Sequence, residues 1–219
     1  SEEEAQLAFK GCASLLQSTP PHALVFDIGG GSTEFMWVQM EDNAEQSTYI
    51  PPHRIEAWHS LPCGVMNLSE KFGGMAYAES YYDEMVHYLT DALRGFDHTN
   101  GITGTLQEDG VQLLSTSGTV TTLAAIHLGM KRYERAKIDA SCMAVSDLRR
   151  ACRTILGMRP SERFANACIG VDRSDFIVPG CAIFEAVTTL WPIETIRIAD
   201  RGVREGIILS LIEAQHERQ

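Results

Sequence analysis

Asp27-Ile28-Gly29-Gly30-Gly31-Ser32-Thr33-Glu34 is the stretch on which the reading of this 219-residue chain turns. The apolar run Ala23-Leu24-Val25-Phe26 precedes it and Phe35-Met36-Trp37-Val38 follows it. Two such runs joined by glycines predict a hairpin with a glycine tip. Three consecutive glycines let backbone N–H groups converge on a ligand with no side chain in the way, the arrangement that cradles phosphate oxygens. Asp27 would then lie beside the phosphate, where two like charges repel unless a cation intervenes. A magnesium ion shared by Asp27, Glu34 and the phosphates resolves that conflict. A plain turn remains open on this stretch alone, since glycine tips are common on hairpins.

Working outward, residues 3–17 carry a helical stripe of Leu7, Ala8, Cys12, Leu15 and Leu16 behind glutamates that favour a helix start. Past the hairpin a third strand is expected between Thr48 and Ser60, then a long helix from Tyr77 to Phe96. Asp97–Gly110, rich in Gly, Thr, Asn and Asp, reads as a loop. Val111–Thr116 reads as a buried strand that turns at Ser117-Gly118 into a helix from Thr119 to Leu128. A further helix is expected from a Ser146-Asp147 cap to Met158, and an apolar one around Pro179-Gly180 ending near Leu190. Thr195–Ala199 reads as a short strand, and Asp200 as the cap of a last helix through Ile212. The order predicts an α/β unit with a mixed, five-stranded sheet flanked by helices.

Composition limits the function classes. The chain carries 18 Lys and Arg against 29 Asp and Glu, a net charge of −11. A surface of that sign repels nucleic acid and anionic membranes on average, so any anionic ligand must be held locally. Residues 131–163 run against the trend, with nine basic side chains against Glu134, Asp139, Asp147 and Glu162. They read as a solvated helical face or as a landing strip for a long polyanion. No apolar run reaches the roughly 18 residues of a membrane span, and Ser1-Glu2-Glu3-Glu4 is unlike a basic signal-peptide start. Cysteines 12, 63, 142, 152, 168 and 181 are scattered, with no metal-ligand spacing, and read as reduced thiols of a cytoplasmic protein. The seven histidines form no triad or metal pattern.

A second anion signal is Leu114-Ser115-Thr116-Ser117-Gly118-Thr119-Val120-Thr121-Thr122-Leu123. A buried strand runs through hydroxyl residues and one glycine into a helix, so free N–H groups converge at a helix N-terminus. An ordinary Ser/Thr-capped helix is the plainer reading.

The string Asp27–Glu34, followed by Ser115-Thr116-Ser117-Gly118-Thr119-Val120-Thr121-Thr122, resembles the exopolyphosphatase / guanosine pentaphosphate phosphatase family of the actin-like ATPase superfold. Glu3-Glu4-Ala5, Asp175-Phe176-Ile177-Val178-Pro179-Gly180 and Asp200-Arg201-Gly202-Val203-Arg204-Glu205-Gly206 agree with it. The resemblance implies an actin-like (ribonuclease H-like) lobe that releases terminal inorganic phosphate from polyphosphate or from guanosine pentaphosphate. It implies Glu4 as the base that activates water, and Asp27 and Glu34 as magnesium ligands. Gly29, Gly30, Gly31 and Ser32 become one phosphate cradle, and Ser117, Gly118 and Thr119 the second, inter-lobe loop. Phosphoryl transfer is mostly positioning and charge neutralisation, which such groups supply.

Family members begin with another lobe carrying its own phosphate loop. Residues 1–219 therefore match a second lobe, the first being absent from this chain. The isolated lobe is expected to be inactive or weakly active, and the full-length protein a cytoplasmic homodimer with no nucleic-acid or membrane partner. Rival readings are a sugar-kinase-type lobe, which needs an aspartate to activate a hydroxyl, and a non-catalytic nucleotide- or phosphate-sensing actin-like module.

Overall fold

The glycine stretch folds as expected, as the tip of a hairpin in which β1 (His22–Ile28) runs antiparallel to β2 (Thr33–Met40). The computed structural model describes residues 2–41, 53–73 and 79–216, with the backbone alone at 2, 4, 79, 80, 213, 214 and 216. Expected positions 42–52, 74–78 and 217–219 lie outside the described residues. β3 (His53–Leu61) extends the meander, and β4 (Val111–Ser115) lies parallel to β1 on its other side. Two further strands, β5 (Cys142–Ala144) and β6 (Thr195–Ile198), complete the order β3-β2-β1-β4-β6-β5. The sheet is thus mixed, but it has six strands rather than five. The additional strand is the three-residue β5, an edge held by antiparallel pairing with β6 rather than by a periodic pattern of its own.

Alternation along β1 divides the side chains between two layers. Leu24, Phe26 and Ile28 join the larger core, which includes Phe35, Leu89, Phe184 and Trp191. Ala23 and Val25 join Met36, Val38, Leu114, Phe9 and Cys12 in a second core on the opposite face. Each fully buried large side chain contributes roughly 1.5–3 kcal/mol, as an upper figure. Asp27 shares the parity of Val25 and so faces this second layer.

That layer is roofed by α1 (Glu2–Cys12) and α10 (Val203–His216), which cross with backbones in contact. A Cβ on Gly206 would lie 1.9 Å from the Leu7 carbonyl oxygen, and one on Gly11 would lie 2.2 Å from that of Gly202. The first helix ends at Cys12, earlier than the stripe to residue 17 suggests, and passes into a 3-10 turn, Ala13–Leu15.

The other layer contains α2 (Val65–Lys71), α3 (Glu79–Asn100), α4 (Ile102–Glu108), α5 (Gly118–His127), α6 (Arg135–Ile138), α7 (Val145–Leu156), α8 (Pro160–Ala165) and α9 (Ile177–Leu190). The loop expected at Asp97–Gly110 is instead the end of α3 and the whole of α4. Gly101, at φ 62, breaks the helix between them. Asp97 accepts from the Thr103 amide at 2.9 Å and from Trp191 Nε1 at 2.8 Å, contacts invisible to local composition. Two expected caps also fall elsewhere. Ala144, not Ser146 or Asp147, precedes α7, and Glu205 rather than Asp200 accepts from the Gly202 amide ahead of α10, at 2.8 Å.

α7 buries Leu148, Cys152 and Ile155, with Leu156 half-buried beside them. Its arginines are not a free strip, however. Arg150 pairs with Asp147, and Arg149 is tied to the hydroxyls of Thr188 and Thr189 on α9. All six cysteines are free thiols, and only Cys142 is exposed. Among the described residues no helix is long and apolar enough to cross a membrane.

Candidate active site

β1, β4 and β6 are parallel, so their carboxyl ends open at one edge of the sheet, the place where open α/β sheets hold ligands. A cleft of about 360 Å³ lies there, lined by Asp27, Thr116, Gly118, Tyr133, Arg173 and Arg201 among others.

The glycine turn that follows β1, which with Ser32 and Glu34 does not line this cleft, is fixed by its carbonyls. The Val65 amide donates to the Gly29 oxygen at 3.0 Å, the Met66 amide to Gly30 at 2.8 Å and Asn67 Nδ2 to Gly31 at 2.7 Å. The first turn of α2 thus turns the tip's acceptors inward, while among the described residues the Gly30 and Gly31 amides have no acceptor. The Gly29 amide is engaged inside the turn, donating to the Ser32 oxygen at 2.9 Å. None of the three has a positive φ. The glycine that the geometry demands is Gly64, where a Cβ would come within 2.5 Å of the Gly29 and Gly30 backbone. Its signal in the sequence, a lone glycine after Cys63, is weak.

Asp27 and Glu34 are Cα partners across the β1–β2 ladder and share a face. Glu34 Oε1 accepts from the hydroxyls of Ser32 and Ser60, each at 2.8 Å. Glu34 Oε2 is buried with no partner among the described residues. Two carboxylates with one orphaned oxygen fit a magnesium ion, which takes one or two protein carboxylates and completes its shell with water and substrate phosphate. A larger protein cage is absent among the described residues, where no three His, Cys, Asp or Glu side chains cluster. Ser32 stands at the turn as expected, though its hydroxyl serves Glu34.

The second loop retains less free hydroxyl than its composition suggests. Ser117 caps α5 by accepting from the Thr119 amide at 3.0 Å, and its own amide donates to Ser115 Oγ at 3.2 Å. Thr121 and Thr122 hydroxyls donate back to the Gly118 carbonyl. Thr119 packs under α9, where a Cβ on Gly180 would lie 2.5 Å from its hydroxyl. Gly118 alone of the three expected residues lines the cleft.

Over it lies a residue that sequence reasoning missed, Arg173, on a 3-10 turn (Val171–Arg173). Its Nη1 donates to the Gly118 oxygen at 3.4 Å and to Thr122 Oγ1 at 3.3 Å, and it forms no ion pair with a described residue. Nothing local marks it, because its partners are some fifty residues away.

Opposite, a network stiffens the loop before α10. Arg201 chelates Asp139, with Nη2 at 2.5 Å from Oδ2, and the Asp200 amide donates to the same carboxylate at 3.0 Å. Burial pushes the Asp139 carboxyl up, but these bonds outweigh it and hold the group below its ordinary value. Tyr133 donates to Asp200 Oδ2 at 2.7 Å, and burial followed by this bond pushes its hydroxyl up to about 12. Glu4 lies in α1, and its side chain is outside the described residues.

An α/β lobe with its cleft at the carboxyl ends of parallel strands has the layout of nucleotide- and phosphate-handling domains. Within that class, the chain belongs to the Ppx/GppA phosphatase family, whose sequence model matches residues 1–215. It is 26% identical over 217 residues to Exopolyphosphatase 2 of Mycobacterium tuberculosis, a match covering 95% of this chain and 61% of that protein. It is 24% identical over 219 residues to a bifunctional 3-dehydroquinate synthase/phosphatase of Fusobacterium nucleatum, covering 30% of that protein.

An exopolyphosphatase from Cytophaga hutchinsonii superposes with a TM-score of 0.77 at 22% identity, over 97% of this chain and 64% of the other. The Aquifex aeolicus Ppx/GppA family member gives 0.76 at 22% identity, over 98% and 63%. These likenesses establish the expected actin-like α/β fold. The chain spans less than two thirds of the length of these relatives.

Proposed function

We propose that this chain is the metal- and phosphate-binding lobe of a phosphoanhydride hydrolase that releases terminal inorganic phosphate from polyphosphate or from guanosine pentaphosphate. The observation that carries it is the carboxylate pair Asp27–Glu34 under a glycine turn whose carbonyls are tied back to α2. The name of the mycobacterial relative supports the substrate class.

In this reading the terminal phosphate rests against the Gly30, Gly31 and Gly118 amides with the Arg173 guanidinium alongside. Asp27 and Glu34 would hold magnesium, which when bound would offset charge on the phosphoryl oxygens. Glu4 takes a proton from water as the water oxygen attacks the terminal phosphorus. The bridging P–O bond breaks and its electron pair leaves with the shortened chain. Positioning and neutralisation carry this chemistry, and the Gly30 and Gly31 amides, Asp27 and Glu34 are the groups that support such a reading.

Because the chain spans less than two thirds of its relatives and the cleft is open above the sheet, we expect slow turnover by this chain alone. The test is phosphate release by the full-length protein, with long-chain polyphosphate and guanosine pentaphosphate offered side by side and magnesium varied. Magnesium-dependent release is expected. Tight binding without release would make the protein a sensor instead.

A further inference from the structure

The fold sorts the cations between Lys131 and Arg163 into those already held and those left over. Besides Arg149 and Arg150, Arg135 is bound by the Asp200 carbonyl and Glu205, Lys137 by Glu134 and Arg159 by Glu162. Arg163 donates to the Met158 carbonyl. The side chains of Lys131, Arg132 and Arg153 have neither an ion pair nor a hydrogen bond among the described residues. Arg153 lines a separate hollow against α8.

Lys131 and Arg132 are exposed on the loop between α5 and α6, immediately before Tyr133, which lines the cleft. The Cys168 thiol donates to the Met130 carbonyl at 3.2 Å, tying this loop to the segment that leads to Arg173. The carboxylates on this side are already engaged: Glu134 by Lys137, Asp139 by Arg201, Asp200 by Tyr133, and Glu205 by Arg135 and the Gly202 amide. Asp172 and Asp175 sit by Arg173 without lining the cleft. Lys131 and Arg132 are thus unpaired cations beside the cleft, facing no unpaired carboxylate of their own loop, on a protein of net charge −11.

We infer that Lys131 and Arg132 form an exit lip that holds the part of a linear polyphosphate lying outside the cleft, and so favour long chains over short ones. The inference rests on the polyphosphate reading above. A repeating polyanion presents charge wherever it emerges, whereas a ligand that ends inside the cleft never reaches the loop. Interactions of this kind are exposed, so they are screened over a Debye length of about 10 Å at 0.1 M salt.

The experiment compares wild type, the double variant Lys131→Ala/Arg132→Ala and a control of equal charge change, Arg150→Ala/Arg159→Ala. Titration calorimetry with magnesium gives the Kd of long-chain polyphosphate and of inorganic tripolyphosphate, at about 50 and about 200 mM salt. Thermal melts establish that each variant is folded. At the lower salt, the lip variant is expected to bind long chains roughly 3- to 10-fold more weakly while tripolyphosphate moves by less than about 2-fold. The slope of log affinity against log salt should flatten by roughly 0.7 for each phosphate that is no longer neutralised.

Unchanged long-chain affinity, equal weakening of both ligands, or the same loss in the control pair each overturns the lip while leaving the polyphosphate reading in place. Wild type that binds neither ligand sinks both.

Discussion

Asp27 and Glu34 face one another directly across the β1–β2 ladder, on the same side of the sheet. Like charges opposite each other in a sheet oppose folding. One oxygen of this pair, Glu34 Oε2, is in addition buried without a partner among the described residues. An arrangement that works against stability and persists is expected where a ligand supplies the missing charge.

Glu34→Gln should therefore leave the thermal midpoint unchanged or raise it, because a buried charge is removed while the Ser32 and Ser60 hydrogen bonds can be kept. The same variant should raise the magnesium concentration needed for phosphate binding, with apparent affinity for the ion falling at least about 10-fold. A midpoint lowered by several degrees together with an intact magnesium response would make Glu34 structural.

Glu4→Gln in the full-length protein should lower turnover by roughly 10²- to 10⁴-fold, the usual contribution of a positioned general base, with little change in stability. Steady-state phosphate release and a melting curve measure the two effects separately. Near-normal turnover would move the base to Glu3 or elsewhere.

Gly30 and Gly64 should respond differently to alanine. At Gly30 a Cβ meets the flexible Met66 side chain, with Sδ at 3.1 Å, and φ is not positive, so Gly30→Ala should fold normally. At Gly64 it meets backbone at 2.5 Å, so Gly64→Ala should cost about 1–3 kcal/mol in urea melts and displace the turn. Equal stabilities for the two variants would refute the close docking of α2 on the hairpin tip.

The Asp139–Arg201 pair predicts a pH dependence with a definite sign. Asp139 titrates below its ordinary 3.8 in the folded chain, so it contributes stability above that value and loses it as pH falls through the lower, folded-state value. Asp139→Asn should thus be less stable than wild type at neutral pH, by roughly 1–2 kcal/mol, with the gap narrowing below about pH 4. Urea melts at both pH values check it, and a constant gap would mean the carboxylate is not coupled to folding.

How much of the molecule is legible in its sequence depends on distance along the chain. The β1–β2 hairpin and the β4–α5 turn are local: apolar runs flanking Gly29–Gly31, and Ser117 one residue ahead of the helix it caps. α4 is not legible, because its residues are poor helix formers and its ordering contacts, Thr103 and Trp191 on Asp97, are partly long-range. β5 is too short to show a period and exists by pairing with β6. In the site, Asp27, Glu34 and the glycines announce themselves by type and spacing. Arg173 does not, since it enters from a turn across the cleft just ahead of the Asp175–Gly180 stretch, and its partners lie some fifty residues away.

The backbone approach of α1 to α10 bears on the order in which the molecule assembles. Lys10 Nζ donates to Ser210 Oγ at 2.9 Å across 200 residues of sequence, so this layer closes the longest loop among the hydrogen bonds described. The entropy of closing so long a loop opposes assembly before the pairing can offset it. The hairpin and the layer of α3, α5 and α9 are built from shorter separations and can form first, leaving one face of the sheet uncovered until the final helix is in hand. The helix that carries Glu4 is then expected to dock last, on a sheet already holding Asp27 in place.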